Sequence, residues 1–161
     1  MNQVIIFTDG SCDTKSKRGG WCYLLRCQNI SKAQSGFEAN TTNNRMELGA
    51  AVCALNALTR PCEVTLTTDS SYLKNAFTEG WLQTWQRNGW RTASRAPVKN
   101  QDLWRELLTL NTTHDITWTW TKGHANSPEN NFVDKLALSA RKSGAGRVLD
   151  HTQVTELLAG T

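Results

Sequence analysis

The sequence predicts an α/β fold in which helices pack on a five-stranded mixed sheet. Three strand-like segments come first, which is typical of an antiparallel meander. A long helix-like segment follows, and the rest of the chain alternates between strand-like and helix-like segments. A meander followed by alternating elements favours a mixed sheet with helices against it. The length of 161 residues fits one domain that can bury a core without disulfides.

The first half of the chain supplies the meander and the clearest helix. Residues 3–8 are mostly β-branched or aromatic, and the turn-like Asp-Gly-Ser that follows ends this first strand. Two more strands are expected at 20–28 and 33–39, joined by a polar stretch. Apolar residues recur at helical spacing over 43–58, so we expect a helix there, ended by Arg60-Pro61.

The second half alternates strands and helices up to a weakly amphipathic tail. Ser127 followed by Pro128 is typical of a helix N-cap with proline in the first turn. Residues 1–142 are therefore expected to form the domain, and residues 143–161 a mobile or loosely docked tail. The expected elements are a strand at 63–68, a helix at 71–77, a helix from near Gly80, an irregular stretch at 88–98, a helix at 100–110, a strand at 115–121 and a helix from 128 to about 142.

Composition excludes several classes of protein. Hydrophobic residues make up 39% and charged residues 20%, which is typical of a globular chain. No apolar run is long enough to span a membrane, and the N-terminus does not resemble a signal peptide, so we expect a cytoplasmic protein. The five cysteines form no CxxC pattern, which argues against a zinc ribbon or a disulfide framework and favours free thiols.

Positive charge is concentrated in one segment. The net charge of the chain is +4, and residues 81–105 carry five basic side chains against a single aspartate. Four of the seven tryptophans also lie there. Basic and aromatic residues together suit a nucleic-acid backbone, whereas the alternative is an amphipathic helix with core tryptophans and solvated arginines. We expect Trp81, Trp85 and Trp104 to pack, and Trp90, beside Arg91, to contact nucleic acid.

Four carboxylates occupy positions where α/β proteins bind ligands. Asp9 and Asp69 follow strands, Glu47 is expected in the first turn of the long helix, and Asp134 lies in the last helix near its apolar stripe. Each has a structural alternative. Asp9 and Asp69 could cap turns or helices, Glu47 could form a capping box with Asn44, and Asp134 could be solvated.

A cluster of these four acids would require cations, because like charges repel. A set of oxygen ligands without cysteine favours a hard ion such as Mg²⁺ or Mn²⁺. Two such ions would clamp the attacking and leaving oxygens of a phosphodiester. The basic segment would hold the polyanion that supplies this phosphate.

The chain resembles the type 1 ribonuclease H family, in its bacterial branch with a basic protrusion. The resemblance covers about residues 3–142 and rests on six motifs in family order. These are TDGSC (8–12), TTNNRMEL (41–48), TDSSYL (68–73), GWRTA…PVKNQDLW (89–104), W-x-W-x-KGHA (118–125) and PENNFVDKLA (128–137).

The resemblance implies a ribonuclease H-like fold and cleavage of the RNA strand of RNA·DNA hybrids, leaving 5′-phosphate and 3′-hydroxyl ends. It implies that Asp9, Glu47, Asp69 and Asp134 hold two Mg²⁺ ions with substrate bound, Mn²⁺ being a substitute. Asp9 would bridge the ions, with Asp134 on the nucleophile side and the other two on the leaving-group side. His124 would assist proton transfer or product release.

The same resemblance implies contacts with the hybrid. Cys12, Asn43 and Asn44 match positions that touch its backbone or 2′-hydroxyl groups, and Thr42 matches part of a phosphate pocket on the DNA strand. Ser71 stands at a substrate-contacting position where relatives commonly carry glutamine. The contacts expected in the protrusion are Arg87, Trp90, Arg91, Arg95 and Lys99.

Two further implications concern affinity and partners. Residues 86–88 read Gln-Arg-Asn, so the protrusion has fewer lysines than in relatives and weaker hybrid binding is expected. The resemblance implies a monomer with no obligate protein partner and no membrane association.

Two rival functions remain open from the residues alone. An integrase or Holliday-junction resolvase could share the fold, but such enzymes lack TDGSC together with NNRMEL and KGHA. A catalytically silent hybrid-binding module would be expected to have lost at least one of the four acids, and none is lost. The sequence therefore favours a metal-dependent endoribonuclease.

Overall fold

The structure is a computed structural model that describes residues 1–122 and 127–160. Within this part of the chain, helices pack on both faces of one mixed sheet. The elements in chain order are β1 (Asn2–Cys12), β2 (Gly19–Cys27), β3 (Ile30–Glu38), α1 (Asn43–Asn56), β4 (Cys62–Thr68), α2 (Ser71–Thr78), α3 (Trp81–Arg87), α4 (Gln101–Thr113), β5 (Asp115–Trp120), α5 (Pro128–Ser143), β6 (Val148–Leu149) and α6 (His151–Ala159).

The sheet order is β5-β4-β1-β2-β3-β6. β1, β2 and β3 form the predicted antiparallel meander, and β4 and β5 add parallel to β1. The predicted mixed α/β fold is confirmed. The expected count of five strands is wrong by one, because the two-residue β6 pairs antiparallel with β3. A strand of two residues is too short to produce an alternation that sequence analysis can detect.

The tail beyond Ser143 covers the outer edge of β3. Ser35 exchanges hydrogen bonds with Arg147: its backbone N–H donates to the Arg147 carbonyl, and its hydroxyl accepts from the Arg147 N–H. The Ser31 N–H donates to Nδ1 of His151 at 3.0 Å. Helix α6 then buries Val154 completely. These contacts pair backbone groups that an uncovered edge strand would expose.

The core consists of two clusters, one on each face of the sheet. The larger cluster lies under α1 to α4 and includes the fully buried Trp104. Helix α1 packs between the sheet and α4, which explains why its buried positions extend around most of the helix. The smaller cluster lies under α5 and α6 and includes Phe132, Val133 and Val154.

Close packing of α5 on β2 depends on Gly20. A Cβ placed there would lie 2.0 Å from the Ala137 carbonyl oxygen and 2.7 Å from the Arg141 nitrogen. Since no side chain fits in that space, only glycine allows α5 to approach this closely. The approach brings one face of α5, including Asp134, towards the end of β1.

Two predictions from composition concern membrane-spanning helices and disulfides. None of their helices is long and apolar enough to cross a membrane. All five cysteines are free thiols, as expected from their number and spacing.

Candidate active site

Asp9 and Asp69 lie side by side because β1 and β4 are parallel. Phe7 of β1 is in register with Thr67 of β4, so each aspartate lies two residues further along its strand direction. Asp9 is still paired with Cys22 of β2, whereas β4 has ended at Thr68. The carboxyl ends of adjacent strands are where open α/β sheets bind ligands.

Glu47 reaches the same place from α1. A Cβ at Gly10 would lie 2.5 Å from the backbone nitrogen of Glu47 and 2.6 Å from the carbonyl carbon of Met46. The absence of a side chain at Gly10 therefore lets the first turns of α1 lie directly on β1. Glu47 is only 9% exposed, which is unusual for a glutamate that forms no ion pair among the described residues.

The three carboxylates form one cluster. Asp9, Glu47 and Asp69 each offer an oxygen atom, and these atoms all lie within 4.8 Å of one another. Asp134 projects from the exposed side of α5 into the same open cleft of about 490 Å³. The structure thus brings three of the four predicted acids into contact and places the fourth beside them.

Burial and mutual repulsion make these carboxylates hard to ionise without a cation. Burial, followed by the negative charge of Asp69 and a hydrogen bond to Asp134, raises the pKa of Asp9 to about 8. The Gly10 N–H, which donates to Oδ1 of Asp9 at 2.9 Å, opposes this rise. Burial and the charges of Asp9 and Asp69 raise the pKa of Glu47 well above its ordinary value.

The cluster fits a divalent cation. Oε2 of Glu47 and Oδ1 of Asp69 are buried, and neither accepts a hydrogen bond from any described residue. Buried acceptors are rarely left without a partner, so these two oxygens are available as ligands. A set made only of carboxylate oxygens suits a hard ion such as Mg²⁺ or Mn²⁺.

The backbone-contacting residues predicted next to the acids also line the cleft. Cys12, Asn43, Asn44 and Ser71 form part of its wall, whereas Thr42 is not among the lining residues. Oδ1 of Asn43 accepts a hydrogen bond from the Cys12 N–H at 2.6 Å, which joins the end of β1 to the start of α1.

Thr42 has a structural role at the start of α1. It is the N-cap residue, and its hydroxyl accepts a hydrogen bond from the Arg45 N–H at 3.1 Å. The alternative in which Asn44 and Glu47 form a capping box is therefore wrong, because the helix begins at Asn43 and Glu47 is already past the first turn.

The basic protrusion, residues 81–105, adjoins the cleft through Tyr72. The Tyr72 hydroxyl lies 3.1 Å from Nε1 of Trp104 and 3.4 Å from Nδ2 of Asn100, both of which donate to it. Tyr72 also lines the cleft. The protrusion carries five exposed cations, which are Arg105 and the four predicted to contact the hybrid, Arg87, Arg91, Arg95 and Lys99.

The position of Trp90 differs from the prediction, because its side chain lies in the core. The sequence predicts that it contacts nucleic acid, but its side chain is only 7% exposed and lies in the larger core cluster. The Arg105 guanidinium covers its ring at 4.8 Å from the centroid. With one face covered and the rest buried, the ring cannot stack on a base. Trp81, Trp85 and Trp104 pack against the same cluster, as expected.

Sequence reasoning missed four residues of the cleft wall, which are Gly10, Ser11, Ser70 and Tyr72. Each lies inside a motif already identified, TDGSC and TDSSYL, so adjacency to a predicted site residue was the available signal. His124, predicted to assist proton transfer, lies outside the described residues.

Comparisons with known proteins agree with this site. A model of the RNase H family matches residues 1–142. Ribonuclease H of Caldanaerobacter subterraneus subsp. tengcongensis is 52% identical over 137 residues, covering 84% of this chain and 90% of the relative. Ribonuclease H of Hydrogenovibrio crunogenus is 51% identical over 140 residues, covering 87% of this chain and 96% of the relative.

Structural similarity extends the comparison to a solved protein. The crystal structure of LC9-RNase H1, a type 1 RNase H with the type 2 active-site motif, superposes with a TM-score of 0.82 at 27% identity. The match covers 93% of this chain and 78% of that one. The family match over most of the chain and the high identity to bacterial relatives agree with the six motifs and the acidic cleft. The chain therefore belongs to the ribonuclease H family, an enzyme family that degrades RNA in RNA–DNA hybrids.

Proposed function

We propose that this protein is an endoribonuclease that hydrolyses the RNA strand of RNA·DNA hybrids by two-metal-ion catalysis. The observation that carries the proposal is the cluster of Asp9, Glu47 and Asp69, whose oxygens lie within 4.8 Å of one another in an open cleft. Two buried carboxylate oxygens in this cluster lack a donor among the described residues. A structural role would leave neither the cluster nor these oxygens explained.

The ions proposed are two Mg²⁺ with substrate bound, with Mn²⁺ as a substitute. Asp9, Glu47, Asp69 and Asp134 would hold the ions, with Asp9 central, Asp134 on the nucleophile side, and Glu47 and Asp69 on the leaving-group side. When bound, the ions supply positive charge that stabilises the attacking and leaving oxygens of the phosphodiester. Members of the family are generally metal-dependent, which supports this assignment.

The reaction proposed is hydrolysis. A water oxygen forms a new bond to phosphorus, and the bond from phosphorus to the 3′-oxygen breaks. The attacking water loses a proton to solvent or a protein base, and the leaving 3′-oxygen takes up a proton from solvent. The products are a 3′-hydroxyl and a 5′-phosphate. We propose that His124, in the KGHA motif, assists the proton transfer or the release of product.

Discrimination for RNA is proposed to come from the wall beside the acids. Cys12, Asn43 and Asn44 would contact the backbone and 2′-hydroxyl groups, and the hydrogen bond between Cys12 and Asn43 holds two of these residues in place. Thr42 would contact a phosphate of the DNA strand, and Ser71 would contact the hybrid from the α2 side of the cleft.

The basic protrusion is proposed to hold phosphates of the hybrid. Arg87, Arg91, Arg95 and Lys99 are exposed, and none of them forms an ion pair among the described residues. Arg91 donates to the Arg95 carbonyl at 3.0 Å, so one guanidinium is partly oriented by the loop itself. We propose that the protein acts in the cytoplasm as a monomer with no obligate protein partner.

One experiment tests the proposal directly. The protein is incubated with Mg²⁺ and, in parallel, an end-labelled hybrid, double-stranded RNA or duplex DNA, each with and without chelator. Cleavage of only the RNA strand of the hybrid, abolished by chelator and leaving 5′-phosphate ends, is expected. Comparable cleavage of duplex DNA, or hybrid binding without metal-dependent cleavage, would contradict the assignment.

A further inference from the structure

A second concentration of positive charge lies on the β2 side of the acidic cleft. Residues 13–18 and 141–142 carry five basic side chains and one acid, Asp13, so their net charge equals the +4 of the whole chain. We call it the second basic surface, and it consists of Lys15, Lys17, Arg18, Arg141 and Lys142.

Arg141 joins this surface to the cleft wall. Its guanidinium donates to the Ser11 hydroxyl at 2.9 Å, and Ser11 lines the cleft between Asp9 and Cys12. Arg141 follows Asp134 by seven residues on α5, which is about two helical turns. The two side chains therefore share one face of α5, about 10 Å apart along the helix axis.

Hydrogen bonds hold the loop between β1 and β2 beside Arg141. Its turn is closed by two hydrogen bonds, from the Asp13 N–H to the Arg18 carbonyl at 2.9 Å and from the Lys17 N–H to the Asp13 carbonyl at 2.8 Å. Arg18 donates to the carbonyl of Lys142 at 3.5 Å, and its guanidinium lies 4.6 Å from the centre of the Phe37 ring. Loop and helix end thus present their cations together.

None of these five cations forms an ion pair with an acid among the described residues. The ion pairs in this part of the chain use Arg26 and Arg45 instead. The carboxylate of Asp13 accepts from its own loop, from the Lys15 N–H at 3.0 Å and the Ser16 hydroxyl at 3.1 Å. The negative end of α5 favours cations in its last turn, but this accounts for neither Lys15 nor Lys17.

We propose that the second basic surface binds phosphates of the strand that occupies the acidic cleft, on the side opposite the basic protrusion. Sheet order supports opposite sides: Tyr72, which adjoins the protrusion, follows β4, whereas Arg141 packs over β2, and β1 lies between them. This inference rests on the proposed function, because it names a further part of the same substrate site.

The test compares two double variants with the same loss of charge. Arg141→Ala with Lys142→Ala removes two cations of the surface, and Lys32→Ala with Arg60→Ala removes two exposed cations elsewhere. Each is placed in the Asp9→Asn background, and binding to a labelled hybrid is measured without metal at several salt concentrations. A third double variant, Lys15→Ala with Lys17→Ala, removes side chains that form no hydrogen bond or ion pair among the described residues.

Both surface variants are expected to weaken hybrid binding by about three- to tenfold and to flatten the salt dependence by roughly one to two charges, while the control changes little. Shortening the hybrid at the end that reaches the second basic surface should abolish the difference in affinity between the surface variants and the parent protein. Shortening it at the opposite end should leave that difference unchanged. Equal effects in the control, or none in either surface variant, would overturn the inference. Hybrid cleavage by the unmodified protein tests the proposed function separately, because the binding comparison needs no turnover.

Discussion

The carboxylates of Asp9 and Glu47 meet because no side chain separates β1 from α1 at Gly10. A Cβ at that position would lie 2.5 Å from the backbone nitrogen of Glu47. Helix α1 can therefore lie directly on β1, and its Glu47 reaches Asp9, the residue before Gly10. The geometry of the acid cluster thus depends on a residue that carries no functional group.

Replacing Gly10 with alanine is expected to reduce activity and stability together. The added methyl group collides with backbone atoms of α1 that cannot move independently, which costs roughly 3 kcal/mol and displaces Glu47. Gly49, on the same helix, is the matched control, because a Cβ there meets nothing within 4 Å. Gly49→Ala should stabilise the protein by about 0.5–1 kcal/mol with unchanged hybrid cleavage. Thermal unfolding and cleavage rates of the two variants provide the comparison.

Neutralising the acids is expected to separate activity from stability. Asp9→Asn, Glu47→Gln and Asp69→Asn should each abolish turnover, because each removes a ligand for the charge that stabilises the transition state. Without metal, each should leave stability unchanged or raise it by about 1 kcal/mol, since repulsion within the cluster is relieved. Asp134→Asn should be milder because Asp134 is exposed. Full activity of Asp9→Asn, or large losses of stability across the set, would mean that the acids are structural.

The metal-free protein should lose stability as the pH rises from about 4 to about 8. The pKa of Asp9 is raised from its ordinary value of 3.8 to about 8 in the folded state, chiefly by burial. The folded protein therefore binds a proton that the unfolded chain has released, and this contribution disappears as the pH passes the folded pKa. Unfolding in chelator across this range should show a smaller decline for Asp9→Asn. Saturating Mg²⁺ should offset the decline, and identical slopes for the two proteins would contradict the assignment.

Removing the cations of the basic protrusion is expected to weaken binding without affecting chemistry. Alanine at Arg87, Arg91, Arg95 and Lys99 should raise KM and leave kcat nearly unchanged. Each cation that no longer binds a phosphate should reduce the slope of log affinity against log salt by about 0.7–0.9. Steady-state kinetics at several salt concentrations measure both effects, and a decrease in kcat with an unchanged slope would count against this surface.

Docking of the tail is expected to contribute to stability but not to catalysis. Val154 is fully buried against the sheet, so Val154→Ala should cost roughly 2 kcal/mol. Leu157, on the same helix, is 39% exposed, and its replacement by alanine should cost less than about 1 kcal/mol. Both variants should retain the kcat of the unmodified protein. Denaturant unfolding distinguishes them, and equal small effects would show that α6 does not share the core.

Trp90 and Arg141 show why part of the site could not be predicted from the sequence. Trp90 lies in the irregular stretch between α3 and α4, and Arg141 lies in the last turn of α5. In neither place does a hydrophobic periodicity indicate whether the side chain is buried. The sequence predicts a nucleic-acid contact for Trp90, which Arg105 covers, and indicates no role for Arg141, which reaches Ser11. Which of them faces the substrate depends on contacts between segments that lie far apart in the chain.

The order of the main elements, the family and the four acids could be predicted from the sequence alone. Strand and helix periodicity are local properties, and the motifs TDGSC, TTNNRMEL, TDSSYL and PENNFVDKLA carry the carboxylates directly. Three other features depend on the folded chain: the convergence of Asp9, Glu47 and Asp69, the pairing of β6 with the edge of β3, and the position of the cations that flank the cleft. The reason is that parallel register, helix approach and edge pairing arise from contacts across the sheet, which no local pattern in the chain records.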